Sequence, residues 1–313
     1  MVPRGRHLFG EAARALDAVG GQARLIGALI EDDADRVAWD DWTFADVFSH
    51  IDASHEALLV AARGEAAPLP GAQLAAINEE RRQTRRGRSF AATLRALDEA
   101  RARAAEHLRA RADSDWLVVV RTASGREWTL GQLAWMLSQH ERGHLDELAA
   151  LLGRPPAPAR VAALNLSAGG VPKWPVFSGF LSFAGLAGDE HANPLHGSAT
   201  AALCLFSGEV IDRLRAEGHP IGPGTIGENV TVRGLDWARI RPGDALSIGP
   251  ARVEVTRFTT PCVTIKGSFA DGQFARVHAD QHPGEARVYA RVLAEGTIAV
   301  GDPVEHISAV SGP

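Results

Sequence analysis

At 313 residues the chain is too long for one ordinary core, so two domains of about 150 residues are expected. A net charge of -5 with 45% hydrophobic residues gives no polyanion-binding signal and excludes nucleic acid as the expected partner. No apolar run approaches the roughly 18 residues of a membrane span, and no leader pattern opens the chain, so no membrane contact and a cytoplasmic location are expected. The two cysteines, Cys204 and Cys262, then read as free thiols. The only lysines are Lys173 and Lys266, both in the second half of an arginine-biased chain.

Residues 7–152 read as helices. Phe9 to Ile30 is one amphipathic segment. Thr43 caps a second helix running to about Arg63, and Pro68, Pro70 and Gly71 break the pattern. An arginine-rich third region covers Gln73 to Arg111 with an interruption near Arg86-Gly87-Arg88, and its alternating charges form a solvated face. Thr129 caps a fourth helix, Leu130 to Leu152, which stops at Gly153 and Pro155-Pro156. The expectation is an all-α four-helix bundle over residues 1–155.

Pro155-Pro156-Ala157-Pro158 reads as a stiff linker, and beyond it the period drops to two. Val161–Asn165, Asn229–Val232, Ala245–Ile248, Arg252–Thr256, Tyr289–Leu293 and Val304–Ile307 read as short strands. Turns such as Pro242-Gly243-Asp244 and Gly301-Asp302-Pro303 separate them, and one helix spans about Ser207 to Glu217. A mainly β barrel or sandwich over residues 159–313 follows.

His140 and His144 lie four apart on the fourth helix, so both imidazoles leave one face; such pairs also occur on solvated surfaces. His50 on the second helix would supply a third nitrogen and leave an open metal position. Glu147 and Asp46 are the carboxylates placed to orient a ring or complete the shell, whereas His55 points about 140° away from His50 on the ~100° per residue of a helix.

Trp42-Thr43-Phe44-Ala45-Asp46-Val47-Phe48-Ser49-His50 resembles the second-helix motif of DinB-like metal-binding bundles, which include mycothiol-dependent maleylpyruvate isomerase domains. Trp128-Thr129-Leu130-Gly131-Gln132-Leu133 with His140-Glu141-Arg142-Gly143-His144 resembles their last helix. The resemblance implies that His50, His140 and His144 hold a divalent metal, zinc or nickel; some relatives use the site for thiol-dependent transfer or isomerisation.

In the second half, Asn165-Leu166-Ser167-Ala168-Gly169-Gly170-Val171-Pro172-Lys173 resembles the opening of a MOSC domain, the C-terminal domain of molybdenum cofactor sulfurases. Gly188-Asp189, His196-Gly197, Gly224 to Val230, Pro242-Gly243-Asp244 and Thr260-Pro261-Cys262 follow in family order. The resemblance implies a β-barrel-like fold that binds a pterin molybdenum cofactor or carries sulfur, with Cys262 in the family's cysteine position. Pyridoxal phosphate, a term attached to the family, is not expected chemically.

A thiolate is a soft donor for molybdenum and also holds a persulfide, and Lys266 and Arg257 are its sequence-near cations. Lys173 and the glycine turns at 169–170 and 224–227, Gly227 included, offer charge and backbone N–H groups to a phosphate. Glu228 and Asn229 either fix a pterin ring by hydrogen bonds or form a β-turn, and His196 is either a contact or a loop residue. Relatives often carry arginines where this chain has Thr200-Ala201-Ala202 and Thr259-Thr260. Cys204, inside Ala201-Ala202-Leu203-Cys204-Leu205, reads as a small buried hydrophobe.

Three readings compete. The first is a molybdenum enzyme that reduces N-hydroxylated small molecules, or a sulfur carrier, served by an electron-donor or sulfur-donor protein. The second is a metal-dependent, thiol-using transferase or isomerase centred on the bundle. The third is a non-catalytic cofactor or sulfur store.

Overall fold

The computed structural model describes residues 7–66, 71–122, 127–154, 157–191 and 197–307, with backbone alone over 71–75. The chain divides into two compact units, Val2–Pro156 and Ala157–Pro313. Among the described residues no helix is long and apolar enough to cross a membrane.

The first unit is helical. Helix α1 (Leu8–Leu29) buries Leu8, Ala12, Leu16, Val19, Ala23 and Ile26, the three-to-four spacing of one apolar stripe. A two-stranded hairpin, β1 (Val37–Trp39) and β2 (Trp42–Thr43), turns through Asp40 at φ 49°, a left-handed position that aspartate tolerates. Thr43 then starts α2 (Phe44–Ala62) with a reciprocal cap. Its hydroxyl accepts from the Asp46 N–H at 3.1 Å, and the Asp46 carboxylate accepts from the Thr43 N–H at 3.0 Å.

The arginine-rich region forms two helices, α3 (Gly71–Arg85) and α4 (Phe90–Arg109), because Ser89 caps a fresh start with its hydroxyl 3.3 Å from the Ala92 N–H. A second hairpin, β3 (Val119–Arg121) and β4 (Glu127–Thr129), leads into α5 (Leu130–Leu151), where Thr129 and Gln132 repeat the reciprocal cap. Among the described residues the helical domain therefore carries five α-helices where four were expected. Helices α1 and α2 both pack on α4 and α5, and Phe44, Phe48, Ile51, Leu97, Leu145 and Leu148 fill the core. Each such side chain contributes about 1.5–3 kcal/mol of burial.

The second unit is mostly sheet. Its strands are β5 (Arg160–Leu166), β6 (Trp174–Val176), β7 (Ser178–Ser182), β8 (Gly185–Leu186) and β9 (Leu203–Ser207), then helix α6 (Gly208–Ala216). There follow β10 (Val230–Arg233), β11 (Ala245–Ile248), β12 (Ala251–Phe258), β13 (Val288–Ala294), β14 (Gly296–Ala299) and β15 (Val304–Ile307). Eight strands form one sheet in the order β15-β11-β12-β13-β9-β10-β5-β6, and β14-β7-β8 form a second. Among the described residues the end strands β15 and β6 do not pair with each other, so where a barrel-like or sandwich fold was expected the sheet is open and does not close into a barrel.

Helix α6 crosses between β9 and β10, which run parallel, and Ser207 caps it through the Glu209 and Val210 N–H groups. All five residues of β9 are buried, so that strand reads as a continuous apolar run and not as an alternation. This arrangement brings the loop after β5, the turn before β10, the segment after β12 and the start of β13 to one cleft.

Candidate functional site

In the helical domain α2 supplies His50 and α5 supplies His140 and His144, and one nitrogen from each lies within 4.8 Å of the others. Their ring centroids are 4.7–5.2 Å apart. A tetrahedral shell with Zn–N of about 2.0–2.1 Å sets nitrogens roughly 3.3–3.4 Å apart, so small ring rotations close the site. Burial and the neighbouring His144 hold His50 down to about 4, and the same causes hold His140 to about 3. Both rings are therefore neutral at physiological pH, the form a metal requires. The residues present fit a divalent cation.

Glu147 lies 2.9 Å from His144 Nδ1, a contact that orients that ring. Asp46, the other candidate for this role, does not reach the rings: it caps α2 and pairs with Arg82 and Arg86. His55 turns inward, as its position on the helix requires, and meets Glu141 at 2.9 Å, with the Arg101 guanidinium donating to both oxygens of the same carboxylate. Trp39 and Trp42, from the β1–β2 hairpin, flank His144 and His50.

In the second unit a cleft of about 300 Å³ is lined by Cys262 and Thr264, Lys173, Asn229, Arg287 and Tyr289, with Cys204 and Gly227 also in its wall. Cys262 follows Pro261 out of the β12 edge and is exposed, whereas Cys204 is buried in β9. The Cys262 Sγ lies 2.8 Å from the Thr264 hydroxyl.

Family models match residues 11–148 as the DinB superfamily and residues 192–305 as a MOSC domain. The chain joins a DinB-superfamily domain to a MOSC domain. It is 31% identical over 123 residues to the uncharacterized protein YflK of Bacillus subtilis, covering 39% of this chain and 55% of YflK. It is 27% identical over 136 residues to YiiM of Escherichia coli, covering 42% of this chain and 60% of YiiM. The match thus spans somewhat over half the length of these curated relatives. Among solved structures, YiiM from Geobacillus stearothermophilus aligns with a TM-score of 0.41 at 23% identity, over 50% of this chain and 78% of that one. Escherichia coli YiiM aligns at 0.39 and 24%, over 50% and 73%.

Lys173, Asn229 and Gly227 line the cleft, and the structure shows what each described candidate contacts. Lys173 is buried and its ammonium is paired with Asp189, so its charge is already neutralised. Asp189 also accepts from the Ser167 N–H at 2.9 Å and the Asn229 amide at 2.7 Å. The Asn229 side chain is fully occupied, because its carbonyl oxygen accepts from the Cys204 N–H and its amide also reaches the Asn165 carbonyl. It braces the wall.

Glu228 is fully buried and does not line the cleft; it accepts from the Gly224 N–H at 2.6 Å and the Thr231 hydroxyl at 3.1 Å. The glycine N–H groups are committed too, since Gly169 and Gly170 donate to the Ser167 hydroxyl and Gly227 to the Gly224 carbonyl. Arg257 is exposed, 4.8 Å above the Tyr289 ring, and it does not line the cleft, nor does Lys266. His196 lies outside the described residues.

Sequence reasoning assigned no individual role to Arg287, Tyr289, Glu190 or His191 in the cleft, nor to the two tryptophans beside the histidines, although the run Gly188-Asp189-Glu190-His191 stood out in the sequence. Arg287 shares strand parity with Tyr289 and Arg291, opposite to the buried Val288, Ala290 and Val292, and so reads as a solvent-face residue.

Proposed function

We propose that the MOSC domain seats a pterin molybdenum cofactor in this cleft, with the Cys262 thiolate as the soft ligand to molybdenum, and reduces N-hydroxylated small molecules. The observation that carries the reading is the exposed Cys262 thiol on the wall of a polar cleft of about 300 Å³, a volume at the lower end of small-molecule sites. The residues fit the group: a free thiol suits molybdenum, and the buried Arg287 Nε without a partner suits an anion. When bound, the cofactor supplies two-electron chemistry for breaking an N–O bond. Conversion of N–OH to N–H takes two electrons and two protons and releases water, so an external electron-donor protein belongs to the reading.

The chain's own contributions are positional. Thr264 holds the thiol through its hydroxyl, and the Lys173–Asp189 pair with Asn229 fixes the floor. Glu190 and His191, whose ring is 3.4 Å from Asp189, are the lining groups able to hand over a proton.

A second reading concerns the DinB domain and is favoured by the three-histidine group: zinc or nickel held there with an open position. Such a metal would supply Lewis-acid polarisation for a thiol-dependent transfer.

Protein purified from hosts able and unable to make the cofactor is assayed with a reduced viologen dye on a panel of N-hydroxylamines and N-oxides. Turnover confined to the cofactor-competent preparation, and lost in Cys262→Ala, is the expected result. Full molybdenum occupancy without turnover would make the domain a store, and sulfane sulfur on cofactor-free protein would make it a sulfur carrier.

A further inference from the structure

Arg287 is 6% exposed, yet among the described residues no carboxylate forms an ion pair with it. Residues 192–196, which lie outside the description, contain no acidic side chain. Its Nη1 donates to the Ile226 carbonyl, and its Nε is buried with no partner at all. A guanidinium presents five N–H donors in a planar fork, and a buried one is ordinarily matched to a carboxylate or phosphate. The Arg287 charge acts on the buried Glu228 carboxyl, but among the described residues no ion pair joins the two.

The neighbours do not make up the deficit. Burial pushes the Cys204 thiol up to about 11 and raises the Glu228 carboxyl, and it outweighs the opposing pull of the Arg287 charge on both. Lys173, the other buried cation of the cleft wall, is already matched to Asp189. Beside Arg287 stands Gly227 at φ 89°. A Cβ there would lie 3.6 Å from Arg287 Nη1 and 2.8 Å from Val171 Cγ1, so the missing side chain leaves open the approach to the guanidinium.

We infer that Arg287 is the anion-binding residue of the cleft, placed to take a phosphate monoester, with Gly227 keeping its approach clear. The inference rests on the cleft being the cofactor's seat, for which the pterin phosphate is the anionic end. Thr200-Ala201-Ala202 and Thr259-Thr260 provide no cation to the cleft, and the arginine comes instead from the entry to β13. A phosphate there meets a charge already dehydrated by the fold, which is the preorganised form of such a contact.

The test uses full-length protein from a host unable to make the cofactor, so that it is independent of molybdenum. Inorganic phosphate and pyrophosphate are titrated by calorimetry, with chloride as the control anion. Saturable binding by wild type, weakened at least about tenfold in R287Q and partly retained in R287K, is expected for the loss of a charge-assisted contact. A second readout needs no variant: phosphate should slow alkylation of Cys262 by iodoacetamide in wild type, because both occupy one cleft. Absence of both heat and protection in wild type, or equal affinity in R287Q, overturns the assignment.

The outcomes also separate the two claims. Phosphate binding that depends on Arg287, in a protein that never acquires molybdenum or pterin, upholds the anion site and removes the cofactor. Pterin and molybdenum bound equally by wild type and R287Q uphold the cofactor and remove this role for Arg287. Phosphate protection in cofactor-free protein marks free phosphate as a ligand, whereas co-purified pterin phosphate from a competent host marks the cofactor.

Discussion

Trp39 stacks on His144, with ring centroids 6.3 Å apart and planes 22° apart, while Trp42 meets His50 edge-on at 5.5 Å. Two indoles therefore lie beside the nitrogens that would hold a metal.

Stoichiometric nickel or copper should quench part of the tryptophan emission in a saturable way, and Trp39→Phe should reduce the quenched fraction. His140→Ala should abolish saturation. Quenching that is unchanged in His140→Ala would place the metal elsewhere.

The same histidines make the metal-free domain sensitive to acid. Desolvation and the neighbouring His144 hold His50 to about 4 and His140 to about 3, whereas unfolding returns each to about 6.5. Between those values the unfolded chain binds protons that the folded domain refuses. Stability from this source is complete above about pH 6.5 and falls toward pH 3–4, by up to about 1.4 kcal/mol per pH unit for each group. Urea titrations of metal-free wild type and His140→Gln across pH 7 to 4 should show a shallower loss in the variant. An identical slope would contradict the assignment.

Glu141 is completely buried between Arg101 and His55, which are 5% and 2% exposed. Arg101→Met would leave a buried carboxylate without its cation and should cost about 3–5 kcal/mol. Arg101→Met with Glu141→Leu should recover more than 1 kcal/mol of that loss in urea unfolding, since the orphaned charge goes with it. A double variant no more stable than the single one would show that packing, not charge pairing, sets the cost.

Gly131 sits one residue into α5, where an added Cβ would lie 2.4 Å from the ring of the fully buried Trp116. Gly131→Ala should destabilise the helical domain by at least about 1–3 kcal/mol even though alanine favours helix. A neutral or stabilised variant, measured by thermal melting, would mean that Trp116 is free to shift.

Much of this architecture is local, and so it was legible. The caps at Thr43 and Thr129 read directly as helix starts, and β11 and β15 match the alternating runs Ala245–Ile248 and Val304–Ile307. The three histidines were legible because their spacing on α2 and α5 is a helical property. Strand β9 was not, since a strand buried along its whole length shows no period of two. The short β1–β2 hairpin was missed because its two strands are too brief to carry a pattern. In the MOSC cleft, residue type misled where long-range pairing decides the role. Lys173 and Asn229 have polar side chains suited to a ligand, yet Asp189 claims both, while Arg287, given no role by the sequence, is interior.

The most direct test of the account is molybdenum and pterin analysis of wild type and Cys262→Ala purified from a cofactor-competent host, with zinc and nickel measured on the same samples. The account predicts near-stoichiometric molybdenum with pterin fluorescence in wild type, its loss in Cys262→Ala, and unchanged zinc or nickel in both. Equal molybdenum in the two proteins, or none in wild type, would contradict it.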